Sequence, residues 1–535
     1  MNRPALLLAV AIGVLIAWGA SRPPSPRAAD APTAVFSAER ALADVRVIAR
    51  EPHPVGSRAN ARVRDHLLAR MTALGLSPTV RAGTEQGGRW AAPEGDGPVR
   101  VENVFGVLPG TDRTAPALLL MAHYDSVPRS PGAADDAAGV AAVLEAVRAF
   151  QAAGVTPARD VAVLFTDGEE AGLLGAKAFF RDPAAARRFG LVMNFEARGG
   201  GGRVLMFETG RGNGPVVEAY RRAVASPAAS SLTGFAYDRM PNGTDFTVPK
   251  TAGVPGLNFA FIGDEAAYHT PLATPERLDA GSLQHMGDQA LTMLTALATG
   301  PTLPAPGADA VYADVFGLSL LTYPAPWGWA VIAAAGALLA VAGWRARGDG
   351  RTAGRLLSGA ARLLLGGALA ALLLHFARRM LATPEDGLYR PELLAHPGAL
   401  LTGVGVVLAA AILLAWSGRP SRMAAVGALV IGALIGAALQ ATAPQTAFVF
   451  AWPVLLGAAG VALLPARGAL ATVAAVVLGA LGVAWIAGLL HLLFLSLGRV
   501  APEALAGGAL LIPLVLAPLL CGGQAAAARR AAALK

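Results

Sequence analysis

The chain has a single cysteine, Cys521, close to its C-terminus. That count excludes an intramolecular disulfide and a cysteine-based zinc site, so any metal centre must draw on His, Asp and Glu. Charge is scarce too: 15% of residues are Asp, Glu, Lys or Arg, against about 25% in a typical soluble protein. The net charge is +8 and is carried mostly by arginine, with no patch in which basic and aromatic residues interleave. A nucleic-acid surface is therefore not expected, and membrane topology accounts better for the excess. The deficit of charge is uneven. Residues 37–301 read as an ordinary globular domain, whereas from about Trp327 onward long apolar runs alternate with short polar loops. The change falls in the Pro/Gly-rich stretch Gly300–Pro306, where a domain boundary is expected. The resulting plan is a membrane anchor (or signal peptide) with linker at 1–36, a globular domain at 37–301, a linker at 302–325 and a membrane domain at 326–535.

A spanning helix needs roughly 20 mainly apolar residues. One such run is Pro4–Ala20, and others are Pro326–Trp344, Leu356–Phe376, Gly398–Trp416, Met423–Gln440, Ala447–Leu464, Ala469–Phe494 and Ala504–Cys521. With the N-terminus inside, the cytoplasmic ends carry Arg345, Arg347, Arg351, Arg355, Arg362, Arg419, Arg422, Arg467, Arg529, Arg530 and Lys535. The opposite ends carry Arg378, Arg379 and Arg390, offset by Glu385, Asp386 and Glu392, and then Arg499. This arginine bias puts residues 37–301 outside the cytoplasm. Trp18 and the length of the first run favour an uncleaved anchor over a signal peptide, and either exports the domain.

In the globular part, apolar runs alternate with helical patterns. Strands are expected at Val101–Leu108, Ala117–Ala122, Val161–Thr166, Leu191–Phe195, Val204–Phe207 and Gly256–Ile262. Helices are expected at Ala59–Leu74, Asp136–Ala153, Gly172–Phe180, Gly214–Ala225 and Pro275–Thr299. That alternation predicts an α/β fold with a central, mostly parallel mixed sheet flanked by helices, followed by an all-α polytopic membrane domain. In such sheets chemistry collects beyond the carboxyl ends of the strands. There the chain places His123-Tyr124-Asp125-Ser126, Asp135-Asp136, Asp167-Gly168-Glu169-Glu170, Glu196 and Tyr268-His269-Thr270. Imidazoles and carboxylates without thiolates suit a catalytic zinc site, and two ions about 3.5–4 Å apart can polarise a carbonyl and activate a water together. Adjacent residues leaving a strand point apart, so one of Glu169 and Glu170 can bind metal while the other serves as general base. Asp125, two residues after His123, is placed to orient that imidazole from behind. Each residue alone has a plainer explanation, and Asp135-Asp136 also reads as a helix cap. Their recurrence at successive strand ends gives the set its weight.

The segments AHYDS (122–126), GAADDAAG (132–139), TDGEEAGLLGA (166–176), MNFEARG (193–199) and YHTPLATPERLD (268–279) resemble metallopeptidase family twenty-eight, the co-catalytic zinc aminopeptidases. So do the opening helix at Pro52–Leu76 and the strand ENVFGVLPG (102–110), and the likeness covers roughly residues 38–300. The resemblance implies two zinc ions. Asp135 bridges them; His123 and Glu196 complete one site, Glu170 and His269 the other; Glu169 is the general base and Tyr268 a helper to the developing oxyanion. Glu196 stands where the family commonly has Asp, and DDAAG lacks a common Ser. The Glu, the MPNGTDF segment (240–246) and the polytopic tail resemble a membrane subgroup that includes the endoplasmic reticulum metallopeptidase and the vacuolar membrane protease. The Ala/Arg/Gly/Leu bias suggests a bacterial inner-membrane relative.

The expected activity is hydrolysis of peptide bonds in peptide or protein substrates, at a free N-terminus, by an enzyme seated in a lipid bilayer. Two readings stay open beside it: an inactive peptidase-like ectodomain of a transport or receptor protein, and a single-zinc glutaminyl-cyclase-like acyltransferase. Of the remaining residues, His53 is expected to be structural, His285 a surface or packing residue, and Gly199–Gly202 a flexible loop. His375 and His491 lie near span ends, and Arg198 is divided between substrate contact and holding the site loop.

Overall fold

The computed structural model describes residues 3–88, 90, 97–347, 352–381, 396–418, 420–465, 468–497 and 501–521. Arg351, Arg390, Arg419, Arg467, Arg499, Arg529, Arg530, Lys535, Glu385, Asp386 and Glu392, which entered the topology reading, lie outside the described residues. The chain divides into two compact units: one runs from Arg22 to Thr322, the other joins the segment up to Ser21 with everything from Tyr323 onward.

The first unit is built on a seven-stranded sheet of order β1-β2-β4-β3-β5-β7-β6. The strands are β1 (Thr79–Gln86), β2 (Pro98–Leu108), β3 (Ala117–His123), β4 (Val161–Thr166), β5 (Phe189–Ala197), β6 (Leu205–Thr209) and β7 (Gly256–Phe261). The central β4, β3, β5 and β7 are parallel, and β2, β1 and β6 add antiparallel edges. Every residue of β3, β4 and β7 is buried, as their unbroken apolar runs require of strands covered on both faces. Side chains alternate across the sheet. Leu118, Leu120 and Ala122 belong to the core on one face, where α4 (Ala137–Ala152) packs on β3 and is itself covered by α2 (Ala38–Ile48) and α10 (Ala280–Thr299), whereas Leu119 and Met121 share a second cluster with Phe180, Phe189 and Phe246. Gly287 of α10 allows Phe36 to lie against the helix, since a Cβ there would fall 2.0 Å from the ring.

This unit extends beyond residues 37–301 at both ends, for identifiable reasons. Arg27 donates to Asp288 and its backbone N–H to Gln284, fastening the segment before α2 onto α10. Beyond α10, the hairpin β8–β9 (Ala310–Val315, Ser319–Pro324) bridges to Ser230 through Ala313 and buries Tyr312. The glycine run is pinned rather than flexible: Gly200 and Gly201 N–H groups donate to the Gly263 carbonyl, and a Cβ at Gly199 would lie 2.1 Å from that oxygen.

In the second unit, the described residues hold 7 helices long and apolar enough to cross a membrane: Arg3–Ala20 (α1), Ala325–Arg345, Thr352–Leu381, Pro397–Ala415, Arg422–Thr442, Pro444–Leu463 and Ala469–Leu497. The last expected span, Ala504–Cys521, is not one helix. It breaks into a 3-10 turn at Pro502–Ala506, a helix at Gly507–Val515 and a short turn at Ala517–Leu520. Pro502, Pro513 and Pro518 each remove a backbone donor, which interrupts the ladder of a continuous helix. α1 packs on Ala469–Leu497, where Gly13 lets the backbones approach: a Cβ there would be 2.7 Å from the Ala480 carbonyl oxygen.

Candidate metal centre

The expected site residues meet beyond the carboxyl ends of β3, β4, β5 and β7. His123 ends β3, and its Nδ1–H donates to the Asp125 carbonyl at 3.1 Å, with the Asp125 carboxylate 3.4 Å away. That bond leaves Nε2 facing Asp135 Oδ1 at 3.1 Å and Glu196 Oε2 at 3.6 Å. On the other side, His269 Nε2 faces Asp135 Oδ2 at 3.0 Å and Glu170 Oε1 at 3.0 Å. Asp135 thus lies between the two imidazoles, one oxygen to each. Asp136 comes within the same reach, but its oxygens accept the Gly139 N–H that caps α4 and the His123 N–H. The two neighbouring aspartates therefore divide the work of site and cap.

The Asp125 carboxylate accepts the backbone N–H groups of Glu169 (2.9 Å) and Glu170 (3.3 Å), tying the β4 loop to the β3 loop. Gly168 turns that loop with φ +71°. His269 also has a left-handed backbone, φ 56°, a conformation non-glycine residues adopt at a cost and hold where the surroundings impose it. Tyr268 stacks on the His269 ring with centroids 3.7 Å apart, and Arg198 lies 5.9 Å over the Tyr268 ring while pairing with Glu265 at 3.2 Å. Arg198 therefore holds the loop that carries His269. His53 is buried and structural: its N–H donates to Ser126 Oγ and its carbonyl accepts the Ser126 N–H. His285 is 2% exposed, a packing residue with both ring nitrogens hydrogen-bonded.

Burial drives most carboxyls here upward. It pushes Glu170 to about 8, with the Asp135 charge adding and His269 opposing. Glu169 is raised well above its ordinary value by burial, against the pull of His123. Burial alone would lower His123, but Asp125, Asp135 and Glu196 outweigh it and hold the imidazole well above its usual range. Sequence reasoning missed Asp245, quoted within MPNGTDF but given no role. It is fully buried, accepts from Thr166 Oγ1, keeps its other oxygen without a donor, and is pushed by burial to about 7. Its surroundings, Asn242-Gly243-Thr244, read as a polar turn, so nothing in the sequence marks this carboxylate as buried.

This crowd of buried carboxylates is short of positive charge, as a cation site is. The spacing fits as well. Bonds of about 2.0–2.1 Å from one tetrahedral zinc ion put imidazole nitrogen and carboxylate oxygen about 3.3 Å apart. The four nitrogen–oxygen separations above run from 3.0 to 3.6 Å. Glu170 Oε1 also lacks a hydrogen-bond donor. The donor set fits zinc.

Fold and site together define an α/β domain with a candidate metal centre of histidines and carboxylates at its strand ends. Residues 103–294 match the model of peptidase family M28, and the chain carries a domain of that family. A vacuolar membrane protease of Candida dubliniensis is 36% identical over 248 residues, covering 45% of this chain and 26% of the relative. Endoplasmic reticulum metallopeptidase 1 of Mus musculus is 35% identical over 231 residues, covering 42% and 26%. These matches span about a quarter of the length of each relative. Among solved structures, an aminopeptidase from Aneurinibacillus sp. strain AM-1 aligns with TM-score 0.42 at 16% identity, covering 52% of this chain and 98% of its own. A Porphyromonas gingivalis glutaminyl cyclase aligns with TM-score 0.40 at 19% identity, covering 49% and 98%.

Proposed function

We propose that this protein is a membrane-bound aminopeptidase that hydrolyses peptide bonds with two zinc ions, its peptidase domain on the extracytoplasmic side. The observation that carries this reading is Asp135 placed between His123 and His269, each imidazole also facing its own carboxylate. His123, Asp135 and Glu196 would hold one ion, and Asp135, Glu170 and His269 the other. Zinc held by these residues would supply Lewis acidity, polarising a carbonyl and lowering the pKa of a water to about 7. Glu169, the other member of the doublet, takes a proton from the attacking water and delivers it to the departing amine. Asp125 keeps the His123 lone pair turned inward and fixes the backbone of Glu169. Tyr268, held by its stack on His269, donates to the developing oxyanion.

The test uses the full chain purified in detergent. About two zinc ions per chain are expected, with cleavage of peptides bearing free N-termini and not of N-blocked ones. Glu169→Gln should keep its zinc and lose about 10²–10⁴-fold in kcat. One zinc with cyclisation of N-terminal glutamine would establish the acyltransferase instead. Folded protein with neither metal nor activity would assign the domain to binding.

A further inference from the structure

The buried face of β5, β7 and β6 carries polar residues where a core strand is ordinarily apolar. Asn194 pairs with Asn258 in the β5–β7 register, and Glu208 with Asn258 in the β6–β7 register. Both asparagines are completely buried and Glu208 is 3% exposed. The intervening Phe195 and Phe259 stack with centroids 5.3 Å apart and belong to the apolar core.

These polar side chains form one directed chain of hydrogen bonds. Lys250, on the short helix Thr247–Thr251, donates from Nζ to Glu208 Oε1 at 2.8 Å and to Asp238 Oδ1 at 2.6 Å. Asn258 Nδ2 donates to Glu208 Oε2 and to Thr244 Oγ1, both at 2.8 Å. Asn194 Nδ2 donates to Asn258 Oδ1 at 3.0 Å and to Glu196 Oε1 at 3.2 Å. An ionised carboxylate only accepts, and a side-chain amide has one accepting and one donating end. Glu208 therefore fixes Asn258 with its NH2 outward, which turns the Asn258 oxygen toward Asn194. Asn194 must then present its own NH2, and the second hydrogen of that group is left for Glu196. Turning either amide over would set oxygen against oxygen. The orientation has a visible cost: Asn194 Oδ1 is buried without a donor. A core tolerates such an orphan where another requirement imposes it.

We infer that the Lys250–Glu208 ion pair is a positioning device for Glu196, acting through Asn258 and Asn194 to hold one oxygen of that carboxylate while the other faces His123. The inference rests on Glu196 being a zinc ligand. Lys250 neutralises Glu208 where it is buried, Glu208 sets the polarity of the two amides, and the amides aim the ligand. Groups that hold a metal ligand in place commonly change metal affinity about 10–100-fold when removed.

The experiment compares wild type, Glu208→Gln, Lys250→Met and Lys250→Arg as full-length protein in detergent. Zinc affinity is read by competition with a chromogenic chelator, and melting is followed with zinc and with EDTA. In Glu208→Gln and Lys250→Met, the zinc equivalent held by His123 and Glu196 should bind at least about 10-fold more weakly. Lys250→Arg should restore the affinity. A purely structural role would lower the melting temperature in EDTA and leave affinity untouched, and that result overturns the inference. If Glu208→Gln does not fold, Lys250→Met, at the rim of the network, decides with the same two outcomes. Wild type that binds no zinc would overturn the ligand reading itself, and this inference with it.

Discussion

His285 shows how one side chain sets a pH limit on the peptidase domain. Its Nδ1 accepts the Val204 N–H at 3.0 Å, and its Nε2–H donates to the Ser226 carbonyl at 3.0 Å. A second proton has no place without breaking the first bond. Burial, with the Arg203 charge adding, lowers its pKa to about 4, against about 6.5 in the unfolded chain. Between those values the unfolded chain binds a proton that the folded one refuses. Stability is therefore full above about pH 6.5 and falls as the pH drops toward 4, by about 2 kcal/mol at pH 5. His285→Asn keeps an acceptor for Val204 and cannot titrate. The melting temperature of wild type should fall more between pH 7 and pH 5 than that of the variant, and equal falls would refute the assignment. The sequence showed His285 only as a helical histidine, because its partners lie in loops far along the chain. The ligand candidates were legible for the opposite reason: they gather at or after the carboxyl ends of strands marked by unbroken apolar runs. Asn194 and Asn258 were hidden, since single polar residues inside apolar strands carry no periodic signal.

At the scale of elements, the legible pieces were those whose pattern comes from burial. β3, β4 and β7, buried throughout, stand within a residue of their expected ends. β1 was missed because it is an edge strand with mostly exposed residues and no alternation to read. The β8–β9 hairpin was read as linker because Pro and Gly surround it. Among the membrane helices, close approach depends on glycine. A Cβ on Gly359 would fall 1.7 Å from the Ala424 carbonyl oxygen, and one on Gly427 would fall 2.1 Å from that of Leu356. Helices Thr352–Leu381 and Arg422–Thr442 therefore touch backbone to backbone, the contact small residues permit in a bilayer. Gly359→Leu must push them apart, at a cost of roughly 1–3 kcal/mol. Unfolding in mixed micelles should begin at lower SDS fraction than in wild type. Gly403→Leu, with nothing within 4 Å of its Cβ, is the control and should leave the midpoint unchanged. Equal shifts in both variants would mean that the contact is not specific.

At the scale of the whole molecule, the proposed orientation rests on arginines, and these divide by what they touch. Arg362 donates to the carbonyls of Ala415 and Ser417, Arg422 to those of Val461 and Leu464, and Arg345 to that of Ala462. A cation at a helix C-terminus is stabilised there on either side of a membrane, because it meets unpaired carbonyls and the negative end of the helix dipole. Those three arginines are therefore explained without any rule of topology. Arg347 is exposed just beyond its helix and accepts no such explanation. Its position is what the positive-inside tendency predicts for a cytoplasmic loop. With Arg347 inside, the helices Arg3–Ala20 and Ala325–Arg345 deliver Ser21 and Pro324 to the far side, and the peptidase domain strung between them with it. The single native cysteine makes this measurable. In a Cys521→Ala background, Thr156→Cys lies in an exposed turn of the peptidase domain and Arg347→Cys at the opposite end of the helix. A membrane-impermeant maleimide added to right-side-out vesicles should label Cys at 156 and spare Cys at 347 until detergent is added. The reverse pattern would put the candidate metal centre in the cytoplasm and overturn the proposed orientation.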